Sequence, residues 1–398
     1  MPWPSKRPAA PRHLPLLVAM TSVCGFVATD IFLPAIPALS LAYERDATQI
    51  QAMFSVFLYA LAVSQLVHGP LSDVLGRRIP LLASLAAYSI ASLAIPWTDR
   101  YEAVLLWRVV QGVGACGAIV VGRAVAADFH RGDALRDFFL GVSIFVGMSP
   151  ALAPVLGQQL YSALGWQACF VFTAAFGALL GLLVYAGLPE SRDAAAAAGV
   201  GVRHALTAYA QVLRAPGFLL NTAIIAVAQA AYFAYLSEST FLLLRQGVPA
   251  GALGYAYISL AAAYVAGNTV ARVLAPRVGS PALYRHGSLL FLCAGIALGV
   301  GLPLLPASTA LLLAGVSVLT FANGFLLPLG TAAAVGAARA HTASASGLAG
   351  FLQLSCAALA AQAIGPLTSH RPAAFGGVML GLGMANFALY LALRKRLA

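Results

Sequence analysis

Gly69-Pro70-Leu71-Ser72-Asp73-Val74-Leu75-Gly76-Arg77-Arg78 joins two long apolar runs, residues 49–69 and 80–97, through a turn that carries one acid and two adjacent arginines. Gly69 and Gly76 allow close approach and a tight turn. Asp73 can pair with neighbouring arginines or with the positive end of a helix. A latch of this kind would hold one arrangement of the flanking helices and break in another.

The runs on either side recur along the whole chain. Hydrophobic residues make up 61% of it and charged residues 9%, against roughly 25% charged in a soluble domain. Twelve stretches of about 20 apolar residues, each enough for a hydrocarbon core of ~30 Å, lie near 14–38, 49–69, 80–97, 103–125, 138–161, 167–188, 218–241, 252–275, 284–304, 308–334, 343–366 and 373–393. The expected fold is therefore an all-α membrane protein with twelve transmembrane helices. Pro34, Pro150, Pro154 and Pro328 are expected to kink or locally unwind their spans, which a bundle tolerates when neighbours satisfy the freed backbone groups.

The net charge of +11 is a topology signal, not a nucleic-acid footprint. With the N-terminus inside, Lys6, Arg7, Arg12, Arg77, Arg78, Arg123, Arg131, Arg136, Arg192, Arg203, Arg214, Arg272, Arg277, Arg285, Arg339, Arg394, Lys395 and Arg396 fall on the inner side. Only Arg45, Arg100, Arg245 and Arg371 fall outside, and Arg108 is stranded within a span. The positive-inside rule then places both termini in the cytoplasm. The first apolar stretch exceeds the 7–15 residues of a signal h-region and contains Asp30, so it reads as a span and not as a cleaved leader.

Leu188 to Pro216 is the one long polar connection, with six spans before it and six after. The chain divides into an N-terminal six-helix bundle (1–188), a cytoplasmic linker (189–217) and a C-terminal six-helix bundle (218–398). Two facing bundles with a midplane site are a common plan for secondary transporters. A faint repeat agrees: Gly267-x-x-x-Ala271 and Arg277-Val278-Gly279 after span eight echo the 69–78 loop, without its aspartate. No extramembrane segment is long enough for an ATPase, so coupling energy comes from an ion gradient or there is none. The five cysteines sit in spans with no C-x-x-C pair and read as packing residues. The seven histidines form no H-E-x-x-H arrangement, so neither an enzyme, a metal nor a cofactor is expected.

The 69–78 loop resembles the G-x-L-[SA]-D-x-x-G-R-[RK] signature of the major facilitator superfamily, with Val74 where a basic residue is common. Arg108-Val109-Val110-Gln111-Gly112-Val113-Gly114-Ala115 matches that superfamily's R-x-x-Q-G-x-G-A motif, whose arginine is associated with proton transfer. The overlapping G-x-G-x-x-G match at 112–117 follows no strand, and small residues there read as a packing seam. Gly147-Met148-Ser149-Pro150-Ala151-Leu152-Ala153-Pro154-Val155-Leu156-Gly157-Gln158 looks like the G-P-x-x-G-G antiporter motif of drug exporters, with Ala153 and Gln158 replacing the first and last glycines, and Pro150, Pro154 and Gly157 are its candidate residues. Asp30-Ile31-Phe32-Leu33-Pro34-Ala35-Ile36-Pro37, Arg123-Ala124-Val125-Ala126-Ala127-Asp128 and Asn323-Gly324-Phe325-Leu326-Leu327-Pro328 resemble the bicyclomycin/chloramphenicol-resistance (Bcr/CflA-type) branch. The resemblance covers essentially the whole chain and implies a multi-pass drug:proton antiporter of the bacterial inner membrane.

Of the twelve acidic residues, only Asp30 and Glu238 fall within spans. An ionised group at a helix centre costs roughly 2.5–3.5 kcal/mol on insertion scales, so such groups usually mark ion or substrate pathways. Asp30 and Arg108 lie ~12 Å and ~8 Å from the outer ends of their spans, close enough in depth to communicate. Asp30 is read as the proton carrier, Arg108 as its modulator, and Glu238 as a secondary contact that could instead face outer water. Gly69, Asp73, Gly76, Arg77, Arg78, Arg123 and Asp128 form the expected latch. Tyr59, Gln65, Gln111, Tyr232, Tyr235, Asn268, Asn323 and Gln353 are expected to line a cavity suited to small amphipathic compounds. The expected partners are a small-molecule substrate, protons and the lipid bilayer, with the monomer as the working unit. Export of an endogenous metabolite such as a siderophore, or uptake by symport, are the alternatives.

Overall fold

The computed structural model describes residues 13–130, 132–191, 202–338, 342–368 and 374–397. Every long apolar run forms a helix, because in hydrocarbon a helix satisfies its backbone groups internally. The first bundle contains α1 (Leu14–Asp30), α2 (Ile36–Ala42), α3 (Ala47–Leu75), α4 (Arg78–Ala94), α5 (Tyr101–Phe129), α6 (Gly132–Leu164) and α7 (Gln167–Gly187). After α8 (Val202–Arg214), the second bundle follows with α9 (Phe218–Arg245), α10 (Leu253–Val278), α11 (Ser280–Leu304), α12 (Thr309–Ala337), α13 (Thr342–Thr368) and α14 (Ala374–Leu397). Among the described residues no strand occurs. Eleven helical segments, counting α1 and α2 together as Leu14–Ala42, are long and apolar enough to cross a bilayer. The 33-residue α6 stands where the remaining span was expected.

Helix ends follow local chemistry. Asp46 and Gln49 form a reciprocal capping box at the start of α3, with Gln49 N donating to Asp46 Oδ1 at 2.8 Å and Asp46 N to Gln49 Oε1 at 3.1 Å. Such a box satisfies two otherwise unpaired donors. Proline effects are more selective than expected. The chain leaves α-helical form after Asp30 and resumes through a 3-10 turn at Leu33–Ala35 before α2. At Pro150, Pro154 and Pro328, by contrast, α6 and α12 continue as helices.

Within the first bundle α5 packs against α1, α3 and α4, and within the second α12 packs against α9, α10 and α11. The bundles meet along two seams, α3 on α13 and α6 on α10, while α8 packs on α9 and α13. Small residues set the closest approaches. A Cβ on Gly267 would lie 2.1 Å from the Phe321 carbonyl oxygen, and one on Gly114 would lie 2.6 Å from that of Ser84. The 112–117 stretch is thus a packing seam.

These contacts predict a sharp contrast between glycines. Gly267→Ala and Gly114→Ala should each lower thermal stability in detergent by about 1–3 kcal/mol, the usual cost of overpacking. Gly381→Ala, where an added Cβ meets nothing within 4 Å, should leave the melting temperature unchanged or slightly higher.

Candidate functional site

Arg108 is fully buried on α5. Its Nε donates to the Met53 carbonyl at 2.8 Å, and its Nη1 donates to the Ala28 carbonyl at 3.0 Å and to Gln111 Oε1 at 2.5 Å. The rings of Phe32 and Phe57 lie 4.8 and 4.6 Å from its Cζ, within cation–π range. Gln111 passes the network on, donating to Ser92 Oγ at 2.7 Å, and Ser92 donates to the Tyr88 carbonyl at 2.6 Å. The guanidinium therefore ties α1, α3, α4 and α5 together. Gln111 is a member of this network and does not line the cleft described below. It sits three residues after Arg108 on one helical face, a spacing that brings side chains together.

Asp30, 1% exposed, is the last residue of α1. Its Oδ1 lies 2.7 Å from Thr29 Oγ1, and its Oδ2 has no hydrogen-bond partner. No ion pair joins it to Arg108. The two are linked through the backbone, since Arg108 bonds the carbonyl two residues before Asp30.

A cleft of about 480 Å³, including its part open to solvent, lies between the bundles. Phe26, Val146, Pro150, Gln229, Tyr232, Leu260, Ala261, Tyr264, Thr320, Asn323 and Leu327 line it. None of these carries a charge. Tyr232 and Asn323 were expected there, and Gln229, Tyr264 and Phe26 were not. Asn268 supports the wall by a hydrogen bond with Tyr264. Tyr235 packs against Phe375 of α14, with ring centroids 6.3 Å apart and the planes tilted by 59°. Gln65 packs on α13 at Gly350. Tyr59 and Gln353 are half-buried on α3 and α13 and are not among the lining residues.

The bundles are pinned together at the end opposite the termini. Glu238 is 2% exposed, so it does not face open water. It accepts from Gln51 Nε2 across the bundle boundary, hydrogen-bonds Thr368, and lies 3.7 Å from Arg245 Nη1. Gln51 also donates to the Ser237 carbonyl at 3.3 Å. Nearby, Thr240 Oγ1 donates to the Leu33 carbonyl at 2.8 Å. Pro37 has no N–H to offer that carbonyl four residues back, so the second bundle supplies the missing donor. Gly157 lies against the same broken segment: a Cβ there would fall 1.8 Å from the Ile31 carbonyl oxygen. Gly254 of α10 closes in similarly on Pro154.

The latch sits at the end that carries the termini. Arg77 is buried, its Nε donating to Asp128 Oδ2 at 3.1 Å and its Nη1 to Ser72 Oγ at 2.7 Å. Ser191 donates to the same Asp128 oxygen at 2.8 Å. Glu190 accepts the backbone N–H groups of Arg77 and Arg78 at 2.8 and 3.0 Å. It thereby caps α4 where free donors and the helix dipole favour a carboxylate. Gly76 makes this possible: its φ is +81°, and a Cβ would lie 2.8 Å from Glu190 Oε2. Arg78 donates to the Tyr185 carbonyl at 2.7 Å and its Cζ lies 5.6 Å from the Tyr185 ring centroid. Gly69, in contrast, has nothing within 4 Å of a built Cβ, so close approach is not its role. Arg123 is exposed and forms no ion pair among the described residues. Asp73 lies on α3, but its side chain is outside those described.

The profile of the Major Facilitator Superfamily matches residues 18–361. The chain belongs to that superfamily. A chloramphenicol resistance protein of Pseudomonas aeruginosa is 29% identical over 292 residues, 72% of this chain and 67% of its own length. The multidrug transporter MdfA of Yersinia pestis is 24% identical over 276 residues, 69% and 67% of the two chains. Multidrug resistance protein D of Escherichia coli is 27% identical over 180 residues, 45% of this chain and 46% of its own. Among solved structures, the nucleoside transporter NupG superposes with a TM-score of 0.74 at 16% identity, covering 97% of this chain and all of that one. A bacterial homologue of the human lysosomal transporter Spinster, inward-facing and occupied, gives 0.72 at 15%, covering 96% and 94%. These structures share the fold. The chain is a multi-pass membrane transporter that binds small molecules, and not an enzyme.

Sequence reading missed Gln51, Thr240 and Glu190. Glu190 had a signal, as the first acid of the polar segment after span six, lying close in topology to the basic 69–78 loop.

In this transporter each inter-bundle hydrogen bond should bias the closed end by about fivefold, the equivalent of ~1 kcal/mol. Gln51→Leu with Thr240→Val should shift spin-label distances between Leu41 and Leu305 positions towards longer values; an unchanged distribution would show the bonds to be passive. At the latch, Glu190→Gln halves the charge-assisted cap. It should cost about 1–2 kcal/mol of thermal stability, while Glu44→Gln, an exposed control, should cost nothing measurable.

Proposed function

We propose that this transporter is a proton-coupled exporter of small amphipathic organic compounds, working by alternating access as a monomer in a bacterial inner membrane with both termini cytoplasmic. The bundles 1–188 and 218–398 move against each other, and 189–217 connects them. Asp30 carries the coupling proton, Arg108 modulates it, and Glu238 joins the bundles. The latch around Arg77, Arg78 and Asp128 favours one state, with Gly69, Asp73 and Arg123 in its loop and flank.

One observation carries the reading. Asp30 is a carboxyl group buried in a membrane helix, with one oxygen unpaired and no cation among the described residues at ion-pair distance. A group so placed is stable when it carries a proton and costly when it does not. Exchange of that proton is a natural source of work in a protein with no ATPase. The uncharged aromatic and amide lining of the cleft suits neutral or weakly charged amphipathic cargo. The names of the chloramphenicol and multidrug relatives favour drugs as that cargo.

Everted membrane vesicles loaded with an imposed pH difference test the proposal directly. The unaltered transporter should accumulate chloramphenicol when the lumen is acid. Asp30→Asn keeps size and most hydrogen bonding; it should still bind cargo yet lose concentrative uptake into the vesicles. Retention of pH-driven accumulation by Asp30→Asn with its loss in Glu238→Gln would move the coupling role to α9. Movement of cargo in the opposite sense would identify a symporter.

A further inference from the structure

Glu238 is the only acid of the second bundle, and from residue 239 to residue 398 the chain has no Asp or Glu. That one acid lies at the end opposite the termini, where Arg245 Nη1 is 3.7 Å away. The other end of the same bundle carries Arg272, Arg277, Arg285, Arg394 and Lys395, all exposed. Among the described residues no ion pair or side-chain hydrogen bond engages any of them. The first bundle also has basic residues at this end, but acids accompany them: Arg77 meets Asp128 at 3.1 Å, and Glu190 accepts from the backbone of Arg77 and Arg78. Topology explains on which side basic residues gather; acids count little in that rule, so it does not require their absence. A rim of one sign draws its counter-ions from outside the chain.

The surroundings of these cations narrow what the counter-ion is. Three of them stand one turn from a large exposed apolar residue on the same helix face: Arg277 with Val273 on α10, Arg285 with Leu289 on α11, and Lys395 with Leu391 on α14. In each pair the apolar residue is the deeper one. α10 and α14 run towards this end and α11 runs away from it, so the shared order is not a by-product of chain direction.

Packing brings two of the pairs together. The ends of α11 and α14 meet where Tyr284 and Tyr390 pack edge to face, with ring centroids 6.3 Å apart. Arg285 follows the first tyrosine, and Arg394 lies one turn beyond the second. α11 starts after Gly279 without a side-chain cap, and open N–H groups at a helix start favour an anion. A cation at the rim with an apolar surface four residues, or ~6 Å, deeper matches a ligand that is anionic at one end and hydrocarbon along its length. A soluble phosphate would use only the cations.

We propose that this end of α10, α11 and α14 binds anionic phospholipid, with headgroup phosphates on Arg277, Arg285 and Lys395 and acyl chains along Val273, Leu289 and Leu391. The bound lipid supplies the negative charge that the second bundle lacks. None of these residues lines the cleft. The site stands whatever cargo or ion the transporter moves.

The test reconstitutes the full-length protein in bilayers of phosphatidylcholine mixed with phosphatidylglycerol, one of the two carrying brominated chains that quench a nearby tryptophan. Leu289→Trp reports the lipid at the proposed face, after subtraction of the unaltered protein with its four tryptophans. Leu182→Trp reports a control face on α7, where Leu182 is exposed and the helix carries no charged residue. At low salt phosphatidylglycerol should be favoured about fivefold at Leu289, the equivalent of ~1 kcal/mol for one cation near the surface, and not favoured at Leu182. Replacing Arg277, Arg285 and Lys395 together by Gln should bring the Leu289 preference to parity. Arg100→Gln, an exposed cation of the opposite end, should leave it unchanged. Sodium chloride at about 0.5 M should erase it, because exposed charges are screened. Equal quenching by the two lipids at Leu289, the same preference at Leu182, or a preference that survives the triple replacement overturns the proposal. So does loss of the preference on adding inorganic phosphate at about 1 mM, which would identify a soluble-anion site instead.

Discussion

A guanidinium removed from water loses several kcal/mol of hydration unless hydrogen bonds and polarisable neighbours replace it. Arg108 replaces it with two backbone carbonyls, one amide oxygen and two aromatic faces, not with a carboxylate. Each of those partners comes from a fixed place. The carbonyls belong to α1 and α3, the amide to α5 itself, and Gln111 is in turn held by Ser92 of α4. The interior of the first bundle is consequently arranged around one charge. Tyr88 closes the same network by donating its hydroxyl to the Cys24 carbonyl at 3.0 Å, so α1 is tied back to α4 immediately before the segment that carries Asp30.

The two ends of the molecule are held by different chemistry. At the end opposite the termini, contacts cross from one bundle to the other: Gln51 to Glu238, Thr240 to Leu33, and the glycine-mediated approach of α10 to α6 at Gly254. Opening that end breaks a few polar bonds and leaves their groups able to take up water. At the end with the termini, the strong polar contacts lie within the first bundle, where Asp128 holds Arg77, and between that bundle and the start of the linker, where Glu190 caps α4. There the inter-bundle contact is chiefly apolar, with Leu66 of α3 packed beside Val212 of α8 and Leu348 of α13. Tyr209 of α8 adds one long hydrogen bond, 3.4 Å to the Leu66 carbonyl.

The twelve runs were legible because hydropathy and helix length are local properties that the bilayer enforces. The helices extend past the apolar stretches by several residues, as at Ala47–Leu75 against 49–69, because polar ends continue a helix beyond the hydrocarbon. Motif residues singled out Asp30, Arg108 and Arg77, and all three are buried polar side chains in the structure. Partners were another matter. Gln51 meets Glu238 at a separation of 187 residues and Glu190 meets Arg77 at 113, and no periodicity encodes which helix faces which. Gln111 illustrates a different failure. Its polarity suggested a cavity, while its i+3 spacing from Arg108 already offered the better account. The prolines show the reverse limit: only at Pro34, with Pro37 following, does the helix break.

The separation of charge from cargo bears on how exchange would be coupled under the proposed function. The cleft lining is neutral, so substrate and proton do not contend for one carboxylate. Phe26 lines the cleft four residues before Asp30, on the same face of α1. Tyr232 lines it from α9 and lies within electrostatic reach of Asp30. Cargo that presses on Phe26 and Tyr232 acts on the two surfaces nearest the carboxyl group. By linkage, any preference of cargo for one position of α1 must be matched by an equal preference of the proton. Coupling would then depend on the broken segment after Asp30, which bears Phe32 on the guanidinium and the Leu33 carbonyl on Thr240 of the opposite bundle. A displacement there alters the charge site and an inter-bundle bond together, as an alternating-access cycle requires.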